Sequence, residues 1–301
     1  MIEERLECRE PLDGEALIGF LGKRAIPGLE AVEGSTYRRS LALERGAAIV
    51  ELTPKSASVR CMLELEDRGD LTAALEACTR LFDLDADPAP IAAHLERDPL
   101  IRPLVRRRPG LRVPGAVDGF ELAARAVIGQ QVSVPAARRL GARLLELHGR
   151  PLARPTGGVT RLFPTAAEIA GSDPERLPFP RARGRALSAL ANRVSDGRLR
   201  LDPEADRAAA REALLAIPGI GPWTASYTAM RALADPDVFL PTDIGVVHAL
   251  ERLAPDGATR GPNELAESWR PWRSYAVLHL WTSLGDAPAA EQVNHAGPAR
   301  V

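Results

Sequence analysis

Residues 214–230 read Leu214-Leu215-Ala216-Ile217-Pro218-Gly219-Ile220-Gly221-Pro222-Trp223-Thr224-Ala225-Ser226-Tyr227-Thr228-Ala229-Met230. Leu214 and Leu215 close an apolar-periodic helix, Pro218 and Gly219 interrupt it, and Pro222 stands where proline suits the first turn of a new helix. The spacing predicts a helix, a tight Pro-Gly-Ile-Gly hairpin and a second helix. Two glycines around one apolar residue let the backbone turn sharply and approach another molecule, with Ile220 filling the space between the helices. The second helix offers free N–H groups at its N-terminus, which suits a phosphate. Gly-Ile-Gly alone reads equally as a packing device, and the longer pattern is the specific signal.

The whole stretch resembles a helix-hairpin-helix, a motif whose backbone grips a DNA phosphate without reading sequence. That resemblance implies DNA contacts at Gly219, Gly221 and Thr224, and a monovalent cation, Na or K, on the carbonyls of Leu215, Ile217 and Ile220. Downstream, Asp237-Val238-Phe239-Leu240-Pro241-Thr242-Asp243-Ile244-Gly245-Val246 is a short apolar run, a proline stop and a carboxylate at a helix start. From the residues alone Asp243 reads as an N-cap, the common role of an Asp after a loop. A hairpin followed at this distance by an Asp resembles the helix-hairpin-helix DNA glycosylase superfamily, which makes Asp243 the expected catalytic carboxylate.

Upstream the periodicity changes. A short helical pattern at residues 15–21 is followed by period-two runs at 40–43, 48–52 and 59–65, with turns at 44–46 and 53–56, which predict an antiparallel sheet. A helix is expected over 71–82, where Leu71, Ala74, Leu75, Cys78 and Phe82 share a face. A small α+β domain over residues 1–87 follows. Beyond it nearly everything reads as helix, at about 89–97, 118–130, 133–148, 165–171, 182–197, 204–216, 222–234, 243–254, 262–269 and 273–284. Asp118 and Ser133 are expected N-caps, Pro135 falls in a first turn, and Thr242 or Asp243 caps the segment after Pro241. The polar tail, residues 288–301, is expected to be disordered.

Bifunctional members of the superfamily, such as endonuclease III and the oxoguanine glycosylases, carry a Lys nucleophile in Gly-X-Gly-X-Lys. Gly219-Ile220-Gly221-Pro222-Trp223 places Trp223 there. Without an amine no Schiff base forms with the sugar, so a monofunctional enzyme that activates water is expected, without strand cleavage by β-elimination.

The chain is most similar to the 3-methyladenine DNA glycosylase II family, through Arg39-Ser40-Leu41-Ala42, Arg80-Leu81-Phe82-Asp83-Leu84, Pro109-Gly110-Leu111-Arg112-Val113-Pro114-Gly115, Ala126-Val127-Ile128-Gly129-Gln130-Gln131-Val132-Ser133-Val134 and Pro271-Trp272-Arg273-Ser274-Tyr275-Ala276-Val277-Leu278-His279-Leu280-Trp281. The resemblance implies an α+β, mostly α fold. The antiparallel-sheet domain precedes two all-helical domains, 118–235, ending in the helix-hairpin-helix at about 204–234, and 88–117 plus 236–287, which carries Asp243. The active-site cleft lies between them. It implies aromatic base-pocket walls at Trp223, Tyr227 and Trp281, although a single Trp reads as well as core packing. An alkylated purine carries positive charge on its ring, so electron-rich aromatics attract it, and its glycosidic bond is already weakened. Two positions depart from the family. Gln131 replaces the apolar wedge that fills the gap left by a flipped base, and Ile244 replaces an aromatic residue after the catalytic Asp.

The formal net charge of −1 argues at first sight against a polyanionic partner. Yet residues 1–100 carry 12 basic and 20 acidic side chains, 101–200 carry 19 and 7, and 201–301 carry 8 and 13. The middle third is therefore net +12, its basic residues all Arg. It reads as an electropositive face for DNA or as an Arg-rich solvated surface. Cys8, Cys61 and Cys78 lack the spacing of a zinc or iron–sulfur site, so no metal cluster is expected. No apolar run approaches the roughly 18 residues that span a bilayer, and Met1-Ile2-Glu3-Glu4-Arg5 is unlike a secretory leader, so no membrane and a cytoplasmic address are expected. Double-stranded DNA with damaged bases is the expected partner of a monomer. A non-catalytic DNA-binding module and a glycosylase for another lesion remain as alternatives. A direct-reversal alkyl transferase is disfavoured, because no Cys has a Pro-Cys-His setting.

Overall fold

The computed structural model describes residues 1–254 and 261–285. The expected tail at 288–301 lies outside the described residues.

The first 82 residues build a five-stranded antiparallel sheet with two helices: β1 (Ile2–Glu7), α1 (Gly14–Arg24), β2 (Glu30–Glu33), β3 (Thr36–Ala42), β4 (Ala47–Pro54), β5 (Ser58–Leu65) and α2 (Leu71–Phe82). The strand order is β1-β5-β4-β3-β2. Register follows the period-two pattern, with Tyr37 opposite Leu52 and Val50 opposite Leu63. Tyr37, Val50, Leu52, Val59, Cys61 and Leu63 are fully buried and share one apolar cluster with Leu17 and Leu21 of α1 and Cys78 and Phe82 of α2. At about 1.5–3 kcal/mol per large apolar side chain, this shared burial stabilises the sheet on its helices. α2 occupies the expected span and ends at Asp83, which takes a left-handed conformation (φ 53°) while its N–H and that of Leu84 bond back to Arg80 and Thr79 carbonyls.

The helical body follows: α3 (Pro88–Leu95), α4 (Arg102–Arg107), α5 (Gly119–Ile128), α6 (Val134–His148), α7 (Ala166–Ala170), α8 (Arg181–Ser195), α9 (Arg207–Leu215), α10 (Pro222–Ala232), α11 (Ile244–Leu253), α12 (Pro262–Ala266) and α13 (Arg273–Gly285). The expected caps form: Asp118 accepts from Glu121 N, Ser133 from Ala136 N and Asp243 from Val246 N. A continuous apolar cluster runs through these helices and takes in Ile26 and Leu29 from the N-terminal region.

Several local readings need correction. Residues 150–162, expected to link two helices, form a hairpin, β6 (Arg150–Thr156) with β7 (Val159–Leu162). Its turn holds Gly157 and Gly158 at φ 55° and 82°, the two-residue turn that twists with its strands. Leu152, Val159 and Leu162 bury against Ala47 and Ile49 of β4, so the hairpin is a tertiary cover for the sheet. The sequence reading also missed β1, β2 and α4. β1 is a half-buried, charge-rich edge strand, and α4 is only six residues long.

Candidate active site

The hairpin between α9 and α10 is a tight turn over residues 217–220. Ile220 N–H donates to the Ile217 carbonyl at 3.0 Å, and Gly219 takes φ 92°, as the third residue of a type II turn requires. Ile220 is buried between the helices. The first intrahelical bond of α10 runs from Ala225 N to Gly221 O, so the N–H groups of Trp223 and Thr224 precede the ladder. The Thr224 side chain is buried and its hydroxyl accepts from Gln130 Nε2, which leaves its main-chain N–H as the group at the helix end.

Asp243 caps α11 and faces a cleft of about 1360 Å³ between the sheet region and the helices. Its Oδ1 accepts from Val246 N at 3.0 Å and from Trp281 Nε1 at 2.7 Å, and its Oδ2 from Trp223 Nε1 at 2.9 Å. Asp243 is thus the N-cap expected from the residues alone, and its carboxylate also lines the cleft. Three of its roughly four lone-pair sites are filled by neutral donors, leaving one on Oδ2. Gly245 makes the Trp281 contact possible, since a Cβ there would lie 2.9 Å from Trp281 Cδ1 and 3.1 Å from Asp243 Oδ1.

The three expected aromatics meet in this cleft. Trp223 and Tyr227 stack at 5.1 Å and 8°, forming one wall, and Trp281 stands 6.3 Å from Tyr227 at 51°, forming another. Phe20 of α1 stacks on Trp281 at 6.2 Å, and the Arg24 guanidinium lies 3.7 Å over the Phe20 ring. Arg231 is buried, donating to the Pro114 and Gly115 carbonyls and to the Tyr227 hydroxyl at 2.7 Å. Burial would raise the Tyr227 phenol, but Arg231, Arg24 and Arg125 outweigh it and bring it below its ordinary value. Burial lowers Arg24, aided by its neighbours Arg231 and Arg125.

Behind these residues lies an ion cluster that also lines the cleft. Glu121 accepts from Arg39 at 2.7 Å and Arg125 at 2.8 Å, while Glu30 accepts from Arg125 at 2.8 Å and from Tyr37 at 2.5 Å. Burial alone would raise the Glu30 carboxyl, but Arg125 and Arg39 hold it down to about 2. Arg125 also donates to the Arg24 carbonyl at 2.7 Å, linking the cluster to the end of α1.

Gln131 sits exposed at the cleft rim in a left-handed conformation (φ 55°), and Ile244 is 71% exposed beside Asp243. Sequence reasoning missed Phe20, Arg24, Arg231, Gly245 and Gln130. The first two lie in or just past the 15–21 helical pattern, which carries no sign of reaching a site more than 200 residues away. Gly245 stood in the quoted stretch, where its contact with Trp281 could not be read.

A family model described as the AlkA N-terminal domain matches residues 3–118. A DNA-3-methyladenine glycosylase 2 of Escherichia coli (strain K12) is 38% identical over 288 residues, covering 94% of this chain and 98% of that protein. The chain belongs to the DNA-3-methyladenine glycosylase 2, or AlkA, family. A probable bifunctional transcriptional activator/DNA repair enzyme AlkA of Mycobacterium tuberculosis (strain CDC 1551 / Oshkosh) is 45% identical over 93% of this chain. The chain spans 56% of that relative's length. Among solved structures, a 3-methyladenine DNA-glycosylase from Archaeoglobus fulgidus superposes with TM-score 0.79 at 24% identity, covering 92% of this chain and 97% of that one. A Clostridium acetobutylicum 8-oxoguanine glycosylase/lyase in complex with double-stranded DNA superposes with TM-score 0.70 at 20% identity, covering 95% and 98%. The AlkA family fold, a five-stranded sheet followed by a mostly helical body, is the one described above. Among the described residues no helix is long and apolar enough to cross a membrane, and no group of three or more His, Cys, Asp or Glu could hold a metal.

Proposed function

We propose that this chain is a monofunctional DNA glycosylase that flips an alkylated base out of duplex DNA and hydrolyses its N-glycosidic bond. The observation that carries the reading is the Asp243 carboxylate, held in an aromatic cleft by Trp223 and Trp281 indoles and beside the helix-hairpin-helix. Trp223, Tyr227 and Trp281 attract the cationic ring of a base such as 3-methyladenine or 7-methylguanine. As the C1′–N bond breaks, the electron pair leaves with the base, which becomes neutral without a strong general acid. Asp243 stabilises the cationic sugar and orients the water that attacks C1′, taking up its proton. The Tyr227 oxygen accepts from Arg231, so its own O–H is the donor left for an acceptor atom on the base.

The N–H groups at Gly221, Trp223 and Thr224 grip a phosphate, and a monovalent cation sits on the carbonyls of Leu215, Ile217 and Ile220. Ile217 O accepts from Ile220 N and keeps one lone pair for that ion. Gln131 enters the gap left by the flipped base and hydrogen-bonds its widowed partner. The working units are the sheet domain 1–87 and the helical domains 118–235 and 88–117 with 236–287, acting as a cytoplasmic monomer on damaged duplex.

Wild type and Asp243→Asn, incubated with methylated duplex DNA, test this reading. Release of methylated purines by wild type alone, with strand breaks only after alkali, is the expected result. Equal DNA binding with no release by either protein makes the chain a passive module, and breaks without alkali overturn the inference drawn from Trp223.

A further inference from the structure

We propose that Gln130 is a positioning residue that locks the wedge loop to the phosphate-gripping hairpin, so that one gripped phosphate fixes where Gln131 enters the duplex. This rests on the glycosylase reading above. Gln130 Nε2 donates to Gly219 O at 2.9 Å and to Thr224 Oγ1 at 2.9 Å, joining residues 89 and 94 positions apart. A carbonyl can only accept, so the contact to Gly219 fixes which way the amide points. The Gly219–Ile220 peptide is thereby held at both ends, its carbonyl by Gln130 and its N–H by the Ile217 carbonyl. That peptide immediately precedes the N–H groups assigned to phosphate.

The same residue is fixed from the other side. The Gln130 carbonyl accepts from Arg183 Nη2 of α8 at 2.7 Å, and the next residue, Gln131, holds a left-handed backbone that a non-glycine side chain keeps only where its surroundings enforce it. Wedge and hairpin thus move as one body. Without the link, the grip would still bind the backbone, but insertion of Gln131 would lose its register.

The test compares duplexes whose lesion is paired with duplexes whose lesion lies opposite an abasic site, where little flipping work remains. Gln130→Met keeps the shape and removes both donors, and Gln130→Glu sets an acceptor against the Gly219 carbonyl. Each should slow single-turnover release from the paired lesion about tenfold or more, leave the unpaired lesion within about twofold, and preserve the thermal midpoint. Thr224→Val, which removes the hydroxyl that Gln130 holds, should also slow release from the paired lesion, and on that substrate the Gln130→Met/Thr224→Val double variant should be no slower than the slower single variant, because one coupling is lost in all three. Equal slowing on both substrates, or none on either, overturns the proposal. A 2-aminopurine placed beside the lesion reports wedge insertion by its emission without any cleavage. If wild type releases no base, the glycosylase reading fails. The positioning role is then judged by emission alone: it stands if wild type brightens the probe and Gln130→Met does not, and falls if the two brighten alike.

Discussion

Two carboxylate sites share one cleft and are built oppositely. Glu30 and Glu121 meet Arg39 and Arg125, so two anions are matched by two cations inside the protein. Asp243 is held by a backbone N–H and two indole N–H groups, all neutral. The first arrangement spends its charge on structure, tying α1 and the sheet to α5. The second fixes a carboxylate in place with neutral donors only, which is what the proposed stabilisation of a cationic sugar would need.

Breaking the paired site should have the largest effect on folding. Glu121→Gln leaves Arg39 and Arg125 facing Glu30 alone, and an uncompensated buried charge costs about 3–5 kcal/mol. The thermal midpoint should fall by roughly 10 °C. An unchanged midpoint would mean that water reaches the cluster and the pairing is not structural.

Asp243→Asn inverts the expectation. It removes the charge and sets an amide N–H against an indole N–H, so base release should fall by about 10²–10³ or more while the midpoint moves little. Gly245→Ala is milder. The added Cβ pushes Trp281 from the carboxylate, and release should fall about tenfold with DNA affinity retained, because the hairpin is untouched. Loss of affinity in step with rate would place Gly245 in DNA binding.

Legibility in the sequence divides along similar lines. The hairpin and Asp243 were readable because turn, proline and cap chemistry are local: Pro218, Gly219, Pro222 and Asp243 each announce a backbone geometry. α2 was readable from Leu71 to Phe82 because its apolar face repeats at helical period and burial follows it. The ion cluster was not, since nothing in Glu30 or Glu121 names an arginine partner brought by folding. Phe20 and Arg24 read as helix, and only packing carries them to Trp281. The 150–162 hairpin reads as a link between helices: Gly157-Gly158 is a turn signal, but Pro151 and Pro155 before it lack the N–H of a ladder residue and argue against a strand.

A third carboxylate sharpens the comparison with a smaller effect. Asp83 resembles Asp243 in its neutral donors, for its Oδ2 accepts from Tyr275 at 2.8 Å and Val113 N at 3.1 Å, but burial pushes it up to about 6. The folded protein therefore holds a proton there that the unfolded chain, at an ordinary carboxyl value of 3.8, has released. Its contribution to stability is present in full below 3.8 and is lost as pH rises through about 6. A shift of this size corresponds to about 3 kcal/mol at neutral pH. Asp83→Asn keeps a neutral group at every pH, its single carbonyl can accept both donors, and Asn tolerates the left-handed backbone at this position. The variant and wild type should melt alike near pH 4 and diverge as pH rises, with the variant higher at pH 8. If the variant instead melts lower by a constant amount across that range, the ionised carboxylate is stabilising. The neighbouring Arg112, which donates to the Asp83, Ala86 and Arg9 carbonyls, would then be its counter-charge.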